Sequence, residues 1–394
     1  MDWVLPPAII GFSFWGLYIS VFEVGAGWLG CHTDRIRYAT IHILFSIVTV
    51  LSIIILIFVL WTLPTDHDVP PTVAETTAQA WLSQYVHECF SEDGTPTKCN
   101  RGSCGGRVKP PRTHHCSVCG TCRLEWDHHC PWVGSCLTFR QSKAFLVLLA
   151  ITGLGVWIMA LPVIHPILDG AYSMYTVSRA DAKSSRLWWD WWGSYVVFGG
   201  PGGRWVLGTA LGYWIAELDE PPNPQRCRFG LLFMKPNFSV AVTLAVALSL
   251  AAFCTVLALQ MWFRLLRGQT TIEALQSQTY PRTKETIRYL WIPESKLSSS
   301  TDISGSNVGT RLIDSAESLR HRAQQPLEGQ VALRGTAFPI YWDERIYDLG
   351  AWSNAKKFNA LPIFGSRHNH LTLPEPPVIS HRIIERLTSR RGDN

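Results

Sequence analysis

The sequence predicts an all-α polytopic membrane protein with four transmembrane helices and a cysteine-rich domain between the second and third of them. Apolar residues make up 47% of the 394 residues and charged residues only 16%, a balance that is unusual for a soluble globular chain. The apolar residues also cluster into runs long enough to cross a hydrocarbon core of ~30 Å. The cysteines are just as concentrated, since seven of the eleven lie between positions 99 and 136.

Four apolar runs predict the transmembrane helices: residues 8–29, 40–63, 144–168 and 238–263. The second and fourth runs contain no Asp, Glu, Lys or Arg, whereas the first carries Glu23. We interpret the first run as a retained helix because it lacks the basic start and small-residue cleavage site of a signal peptide. Two positions for Glu23 remain open, one facing the bundle interior and one solvated near the helix end.

These helices divide the chain into the following predicted parts: residues 1–63 with transmembrane helices 1 and 2, 64–142 with the cysteine-rich domain, 143–168 with helix 3, 169–236 as a luminal Trp- and Gly-rich loop, 237–264 with helix 4, and 265–394 as a tail. The basic residues of the cysteine-rich domain and the tail place both on the cytosolic side of the membrane. Arg35 and Arg37, in the first hairpin, oppose this topology. The tryptophans of the loop predict an interfacial segment, and a fifth span near 206–215 is the shorter alternative.

The tail combines two compositions. Residues 295–335 are polar and rich in Ser, Gly and Gln, so they are predicted to be a disordered insert. Aromatic residues return within 338–365, which is predicted to be ordered. The formal net charge of +5 is spread along the chain and gives no case for nucleic acid. It fits an acidic partner such as a lipid surface or a phosphorylated cofactor.

The cysteine block is best explained by zinc. A disulfide framework needs an oxidising compartment, which the predicted cytosolic position argues against. Short C-x2-C spacings allow two thiolates to bind one tetrahedral zinc ion. Two four-coordinate sites need eight ligands, which six cysteines and two histidines would supply, so one cysteine of the block is left over.

The left-over cysteine is the candidate nucleophile. Spacing alone does not identify it, but Cys130 directly follows Asp127, His128 and His129, which would supply a base and its orienting carboxylate. A free thiol is mostly protonated at neutral pH, and an adjacent imidazole raises its thiolate fraction. Cys130 is therefore predicted to be the reactive thiol, and a purely structural zinc module with a spare thiol is the alternative.

At this point the residues resemble the Asp-His-His-Cys (DHHC) family of protein S-acyltransferases, or palmitoyltransferases, with a fungal-type member expected. The resemblance rests on residues 127–133 with the sequence Asp-His-His-Cys-Pro-Trp-Val, on Lys-Pro-Pro-Arg at 109–112, on Thr-Thr-Ile-Glu at 270–273, and on Tyr-Asp-Leu-Gly at 347–350 with Asn354. It implies that Cys130 carries the acyl group, that His128 is the general base, and that Asp127 fixes the tautomer of His128.

The resemblance also implies two structural zinc ions. The first would bind Cys99, Cys104, His115 and Cys122, and the second would bind Cys116, Cys119, His129 and Cys136. The pair Cys99-x4-Cys104 departs from the family's two-residue spacing, and Cys89 is the alternative ligand.

Three further residues are implied as structural support. Thr271 would support Asp127, Glu273 would fix the last helix, and Asn354 belongs to the C-terminal motif. The spacing of Thr270 and Glu273 independently predicts a capping box.

The predicted function is therefore transfer of a long-chain fatty acyl group from acyl-CoA to cysteine thiols of proteins at the membrane. Lys109, Arg112 and Arg123 are candidate ligands of the coenzyme A phosphates, although membrane orientation explains such charges equally well. A cavity among the four helices would hold the acyl chain, and Gly153 and Gly155 either leave room for it or allow close helix packing. The alternative functions are a membrane-anchored zinc-binding interaction module without catalysis and, less favoured, a channel or transporter using Glu23.

Overall fold

The computed structural model describes residues 4–30, 36–62, 69–70, 75–95, 97–197, 200–219, 238–280, 288–298, 334–363 and 376–389. The chain divides into two compact units. The membrane-helix unit comprises Met1–Trp61 and Phe145–Leu259, and the cysteine-rich unit comprises Thr62–Ala144 and Gln260–Asn394.

The helices of the described chain follow in sequence order: α1 Leu5–Tyr18, α2 Ile36–Thr62, α3 Glu75–Leu82, α4 Ser142–Ala180, α5 Pro201–Asp219, α6 Phe238–Leu266, α7 Thr271–Thr279, α8 Ala351–Ala360 and α9 His381–Ser389. A π-helical segment, Ile19–Leu29, continues α1. Shorter helical turns are Gly102–Cys104, Ala182–Ser184, Ser185–Trp189, Trp192–Tyr195 and Glu294–Ser298.

The strands are β1 His87–Cys89, β2 Lys98–Cys99, β3 Arg107–Val108, β4 His114–Cys116, β5 Thr121–Arg123, β6 Trp126–Cys130, β7 Ser135–Thr138, β8 Arg288–Pro293 and β9 Gly335–Ile340. They form one three-stranded antiparallel sheet in the order β1-β8-β9 and three two-stranded hairpins, β2-β3, β4-β5 and β6-β7. All lie in the cysteine-rich unit, so the all-α assignment was wrong there. Strands of two to six residues are too short to give a reliable periodicity in sequence.

Four helical stretches of the described chain are long and apolar enough to cross a membrane: Leu5–Leu29, Ile36–Thr62, Ser142–Ala180 and Ala241–Leu266. This confirms the predicted number and order of spanning helices. On α2 many of the exposed positions are apolar, with Ile41 65%, Val48 64% and Ile55 58% exposed, whereas Ser46 and Thr49 are buried. This distribution is the reverse of that in a soluble helix and suits contact with lipid.

Buried polar side chains of the membrane-helix unit contact one another. Ser20 Oγ lies 3.0 Å from His42 Nε2 and 2.7 Å from Ser46 Oγ. Glu23 is only 5% exposed and accepts a hydrogen bond from the Tyr18 hydroxyl at 3.3 Å. Of the two positions considered for Glu23, the structure therefore has the interior one.

Gly153 and Gly155 permit close helix packing. A Cβ atom at Gly153 would lie 2.5 Å from Thr255 Oγ1, and one at Gly155 would lie 2.4 Å from Thr49 Cγ2. Both distances are too short for a non-bonded contact. Neighbouring side chains therefore fill the space beside these two glycines, which leaves no room there for an acyl chain.

The predicted loop at 169–236 differs most from expectation. Helix α4 continues beyond residue 168 to Ala180. Its internal prolines, Pro162 and Pro166, lie within the predicted helix, and prolines are tolerated in transmembrane helices where neighbours satisfy the freed carbonyls. The same region contains α5, a helix of 19 residues. Trp189 is buried and donates to Ser178 Oγ at 3.0 Å, whereas Trp192 is 76% exposed.

The β1-β8-β9 sheet belongs to the core of the cysteine-rich unit. That core contains the buried residues Val86, Leu290, Ile292, Ile340, Ile346, Tyr347, Ile379 and Leu387. Strands β8 and β9 pair from Arg288 with Ile340 to Pro293 with Gly335. The predicted disordered insert 295–335 thus connects two paired strands, and apart from its ends it lies outside the described residues.

Candidate functional site

The β6-β7 hairpin carries the candidate nucleophile and base. Side chains of a strand alternate between its two faces, so His128 and Cys130 lie on one face of β6 and His129 on the other. The register confirms this alternation, with His129 opposite Cys136 and Cys130 opposite Ser135. Cys130 is 3% exposed.

Asp127 is the extra residue of a β-bulge. Trp126 pairs with Thr138 and His128 with Leu137, so Asp127 has no opposing residue in the hairpin. A bulge redirects a side chain, and here the Asp127 carboxylate meets the ring of its neighbour, with His128 Nδ1 2.7 Å from Asp127 Oδ2.

The N-terminus of α7 holds the Asp127 carboxylate. The Thr271 backbone N–H donates to Asp127 Oδ1 at 2.5 Å and the Thr271 hydroxyl donates to Oδ2 at 2.8 Å. A carboxylate at the first turn of a helix is stabilised by free N–H groups and the helix dipole. Burial alone would raise the pKa of Asp127, but the hydrogen bonds from His128 and Thr271 lower it below its ordinary value.

His128 lies between the carboxylate and the thiol. Burial alone would lower the pKa of His128, but its hydrogen bonds to Asp127 and Cys130 raise the pKa to about 9. Because Nδ1 contacts Asp127, the other ring nitrogen is left for the sulfur. The three side chains thus form a thiol–imidazole–carboxylate series of the kind used in nucleophilic catalysis.

A first cluster of metal-binding atoms contains Cys99, Cys104, His115 and Cys122. His115 and Cys122 are opposite each other in the β4-β5 hairpin, and Cys104 ends a helical turn after β2. The Nδ1 atom of His115 lies 3.5 Å from the sulfurs of Cys99 and Cys104 and 4.0 Å from that of Cys122.

A second cluster contains Cys116, Cys119, His129 and Cys136. The Nδ1 atom of His129 lies 3.7 Å, 3.5 Å and 3.6 Å from the three sulfurs in that order. Cys116 follows His115 on β4, so the alternation of the strand directs these neighbours to different clusters.

Both clusters fit tetrahedral zinc. At the usual bond lengths two thiolate ligands lie ~3.8 Å apart, and a thiolate and an imidazole ligand lie ~3.6 Å apart. The Cys104–Cys122 and Cys119–Cys136 sulfur separations are 3.7 Å and 3.5 Å. The structure thus brings together both donor sets expected from the resemblance, with Cys99 rather than Cys89 in the first. Cys130 belongs to neither set.

Arg112 does not have the position expected of a coenzyme A ligand. It is 8% exposed, and its Nε and Nη2 donate to Glu273 Oε1 and Oε2, both at 2.7 Å. Nη2 also donates to the Gly268 carbonyl at 2.5 Å, and the guanidinium lies 3.9 Å from the Tyr347 ring centroid. These contacts occupy the guanidinium, so the expectation that Arg112 binds phosphates is corrected. Arg123 is also buried, at 6% exposed, and only Lys109 of the three remains partly exposed.

Glu273 has two roles. Its carboxylate pairs with Arg112 and also accepts from the Thr270 backbone N–H at 2.9 Å, which completes the predicted capping box of α7. The capping prediction is therefore confirmed. The box fixes the start of α7, and with it the Thr271 N–H and hydroxyl that hold Asp127.

Asn354 joins α8 to the end of α6. Its side-chain nitrogen donates to the Leu266 carbonyl and to Asp348 Oδ1, both at 2.9 Å, and its oxygen accepts from the Leu349 N–H at 3.2 Å. The structure therefore gives Asn354 a place in helix-end packing.

Sequence reasoning missed two residues near the site. Arg264 donates to Thr271 Oγ1 at 3.1 Å, and Glu88 contacts the motif residue Tyr347 at 3.3 Å. A basic residue at the end of a spanning helix is usually an orientation signal, so Arg264 gave no distinctive pattern. Glu88 lies on a three-residue strand that sequence did not predict.

The fold and the site together define a class: a polytopic membrane protein whose cysteine-rich unit combines two Cys3His metal-binding clusters with a separate thiol–imidazole–carboxylate series. Residues 99–278 match the family described as DHHC palmitoyltransferase. This part of the chain is therefore similar to the DHHC palmitoyltransferase family, in agreement with the motifs.

Similar proteins include Palmitoyltransferase pfa3 of Emericella nidulans, 40% identical over 77 residues, which are 20% of this chain and 14% of that protein. Palmitoyltransferase ZDHHC15 of Xenopus laevis is 60% identical over 43 residues, 11% of this chain and 13% of that protein. Probable protein S-acyltransferase 13 of Arabidopsis thaliana is 45% identical over 91 residues, 22% of this chain and 28% of that protein. The matched segments thus span less than a third of each of these relatives.

Proposed function

We propose that this protein is a protein S-acyltransferase that moves a long-chain acyl group, such as palmitoyl, from acyl-CoA to cysteine thiols of membrane-associated proteins. One observation carries the proposal: Cys130 belongs to neither Cys3His cluster, yet it is hydrogen-bonded to His128, which is bonded to Asp127. A structural zinc module has no need of this series.

The first step acylates Cys130. His128 accepts the thiol proton of Cys130, and the resulting thiolate attacks the thioester carbon of acyl-CoA. A new carbon–sulfur bond forms to Cys130, the bond to the coenzyme A sulfur breaks, and the departing thiolate takes the proton from His128. Asp127 keeps the His128 ring oriented and stabilises its cationic form.

The second step regenerates the enzyme. A substrate thiol gives its proton to His128 and attacks the acyl-Cys130 carbon; the Cys130 sulfur leaves and is reprotonated by His128. Each step exchanges one thioester for another, so little driving force is needed and the protein contributes mainly by holding the reacting groups together.

The two clusters would hold structural zinc. Zinc bound there supplies rigidity to the β4-β5 and β6-β7 hairpins, since a metal site of this kind contributes folding free energy. His129 and Cys136 lie across the β6-β7 hairpin from each other, so these two ligands, when bound to zinc, would fix the strand that carries His128 and Cys130.

The basic cysteine-rich unit and tail favour an active site on the cytosolic face of a multi-pass membrane protein. The acyl chain would stay in the bilayer, where burial of each CH2 contributes ~0.8 kcal/mol. Lys109 is the remaining candidate for contact with the coenzyme A phosphates.

The proposal is tested by labelling the purified protein with a clickable palmitoyl-CoA analogue. We expect a hydroxylamine-labile label that is lost in Cys130→Ser and kept in Cys254→Ser, a variant of a thiol in the α6 helix. Zinc content is measured in parallel, with two ions per chain expected for all three proteins. Two zinc ions without any label would instead support the membrane-anchored zinc-binding interaction module.

A further inference from the structure

Glu88 is a largely buried carboxylate outside all the sequence motifs of the site. It lies in β1, and its side chain is 11% exposed. Its Oε1 accepts from Arg288 Nη1 at 2.6 Å, and its Oε2 accepts from the Tyr347 hydroxyl at 3.3 Å. The Glu88 carboxylate thus contacts the hydroxyl end of Tyr347 and Arg288 of the neighbouring strand β8.

The ring of Tyr347 is in turn a support for Arg112. The Arg112 guanidinium lies 3.9 Å from the ring centroid, within the range of a cation–π interaction. Tyr347 is 6% exposed, and burial together with the nearby Glu88 carboxylate raises its pKa well above the ordinary value. Tyr347 therefore stays a neutral phenol that donates to Glu88 and presents its face to Arg112.

Arg112 needs such support because its backbone φ is +62°. This value lies in the left-handed region, which is unfavourable for residues other than glycine. Surrounding contacts must hold a residue in this conformation. The guanidinium has three such contacts, with Glu273, with the Gly268 carbonyl and with the Tyr347 ring.

Glu273 connects this arrangement to the candidate catalytic residues. Its Oε2 accepts both from Arg112 Nη2 at 2.7 Å and from the Thr270 N–H at 2.9 Å. The next residue, Thr271, donates its N–H and hydroxyl to Asp127. A continuous series of contacts between buried and partly buried side chains thus runs from the β1-β8-β9 sheet to Asp127, all of it inside the cysteine-rich unit.

We propose that Glu88 is a positioning residue for acyl transfer, which acts through the Tyr347 hydroxyl and the Arg112 guanidinium to set the orientation of Asp127. This inference rests on the proposed acyltransferase function. It gives the β1-β8-β9 sheet a role beyond stability, because the sheet places Glu88 and Arg288 on neighbouring strands, with Glu88 opposite Leu290.

The test begins with Tyr347→Phe, which removes the hydroxyl and keeps the ring. The ring then loses its contact with Glu88, so Arg112 and the α7 cap are held less firmly. We expect kcat for acyl transfer to fall about tenfold, equivalent to ~1.4 kcal/mol, with the KM for acyl-CoA unchanged, because orientation of the reacting groups is altered and substrate binding is not.

The chain offers a matched control in the same sheet. Tyr289 lies on β8 and its hydroxyl donates to Glu92 Oε1 at 2.7 Å, so Tyr289→Phe removes the same kind of bond without touching Arg112. We expect Tyr289→Phe to retain the wild-type kcat. If both variants lose activity equally, the sheet acts only through stability and the proposal is overturned.

The route through Tyr347 is tested with Glu88→Gln, alone and combined with Tyr347→Phe. If Glu88 acts through the Tyr347 hydroxyl, Glu88→Gln lowers kcat in the wild-type background and has no further effect once the hydroxyl is absent. Effects that multiply in the double variant would contradict the route.

A second measurement separates this inference from the proposed function. The rate at which iodoacetamide alkylates Cys130, followed by mass spectrometry of its peptide, reports on the surroundings of the thiol without any acyl transfer. A changed alkylation rate in Tyr347→Phe but not in Tyr289→Phe supports positioning even if palmitoyl-CoA labels nothing, in which case only the acyltransferase proposal falls. In a second outcome, palmitoyl-CoA labels the wild-type protein, and Tyr347→Phe and Tyr289→Phe have the same kcat and the same alkylation rate. That result would support the acyltransferase proposal and refute the positioning role of Glu88.

Discussion

Thr271 contacts Asp127 through its hydroxyl and through its backbone N–H. Replacing Thr271 by Val removes the first contact and keeps the second, so the variant measures what the hydroxyl contributes. The variant keeps the shape of the side chain and the Thr271 N–H contact to Asp127 Oδ1 at 2.5 Å. It removes the hydroxyl donor to Oδ2 at 2.8 Å and the acceptor of the Arg264 contact.

The magnitude follows from the burial and charge of the carboxylate. Asp127 is 8% exposed, and a hydrogen bond to a charged group contributes ~1.5–3 kcal/mol. The Oδ2 atom that loses this donor is the one bonded to His128, so the loss acts directly on the orientation of the imidazole. If most of this hydrogen-bond free energy is lost from the transition state, kcat falls about ten- to hundredfold.

The assay follows acylation of Cys130 by a clickable palmitoyl-CoA and the later transfer to an acceptor peptide thiol. Thr271→Ser keeps the hydroxyl and should retain most of the activity. Thr279→Val, at the exposed end of the same helix, removes only a hydroxyl that donates to the Leu275 carbonyl and should be neutral. Zinc content and Tm of all variants show whether the fold is intact.

A Thr271→Val protein with the wild-type kcat would refute the reasoning, because Asp127 would then need no side-chain donor. The same holds if Thr271→Ser is as slow as Thr271→Val, since the hydroxyl would not be the group that matters. A parallel loss of zinc would assign the effect to folding instead.

Further variants test the other parts of the site. Cys119→Ser should reduce zinc from two ions to one per chain, because its cluster loses a ligand, whereas Cys130→Ser should keep both; metal analysis decides. Asn354→Ala should lower the free energy of unfolding by about 2–3 kcal/mol through its lost buried hydrogen bonds, measured against the exposed Asn359→Ala. Arg112→Lys should lower kcat but not raise the KM for acyl-CoA, because its guanidinium contacts Glu273, whereas Lys109→Ala should raise that KM about two- to fivefold.

Features set by local sequence were predicted well. The four spanning helices follow from length and hydropathy, which depend only on neighbouring residues. The capping box of α7 follows from the spacing of Thr270 and Glu273. Six of the seven cysteines in the block, with two histidines, make up eight zinc ligands, so counting alone leaves one cysteine over. Cys130 was chosen as that cysteine because it lies next to the histidine pair in sequence.

Features that depend on distant residues were not predicted. The β1-β8 pairing places Glu88 opposite Leu290. Strand β1 has only three residues, and β8 is buried at five of its six positions, so neither strand shows an alternating pattern in sequence. An arginine near the signature motif is a reasonable candidate for binding phosphate. Only the burial of the Arg112 guanidinium against Glu273 shows that Arg112 forms a structural ion pair. The continuation of α4 from residue 169 to Ala180 was missed because Asp169 and Gly170 follow the apolar run, and hydropathy identifies only the apolar part of a spanning helix.

The sequence by itself determined what this protein contains: four apolar helices, two sets of metal-binding residues and one thiol beside a histidine and an aspartate. Only the tertiary structure decided how those residues are oriented. The bulge that turns Asp127 toward His128 forms in the β6-β7 hairpin, and the α7 terminus that holds the Asp127 carboxylate belongs to a segment 144 residues further along the chain. Hydropathy and spacing record short-range preferences, and such contacts form only when separate segments pack and exclude water from the groups between them.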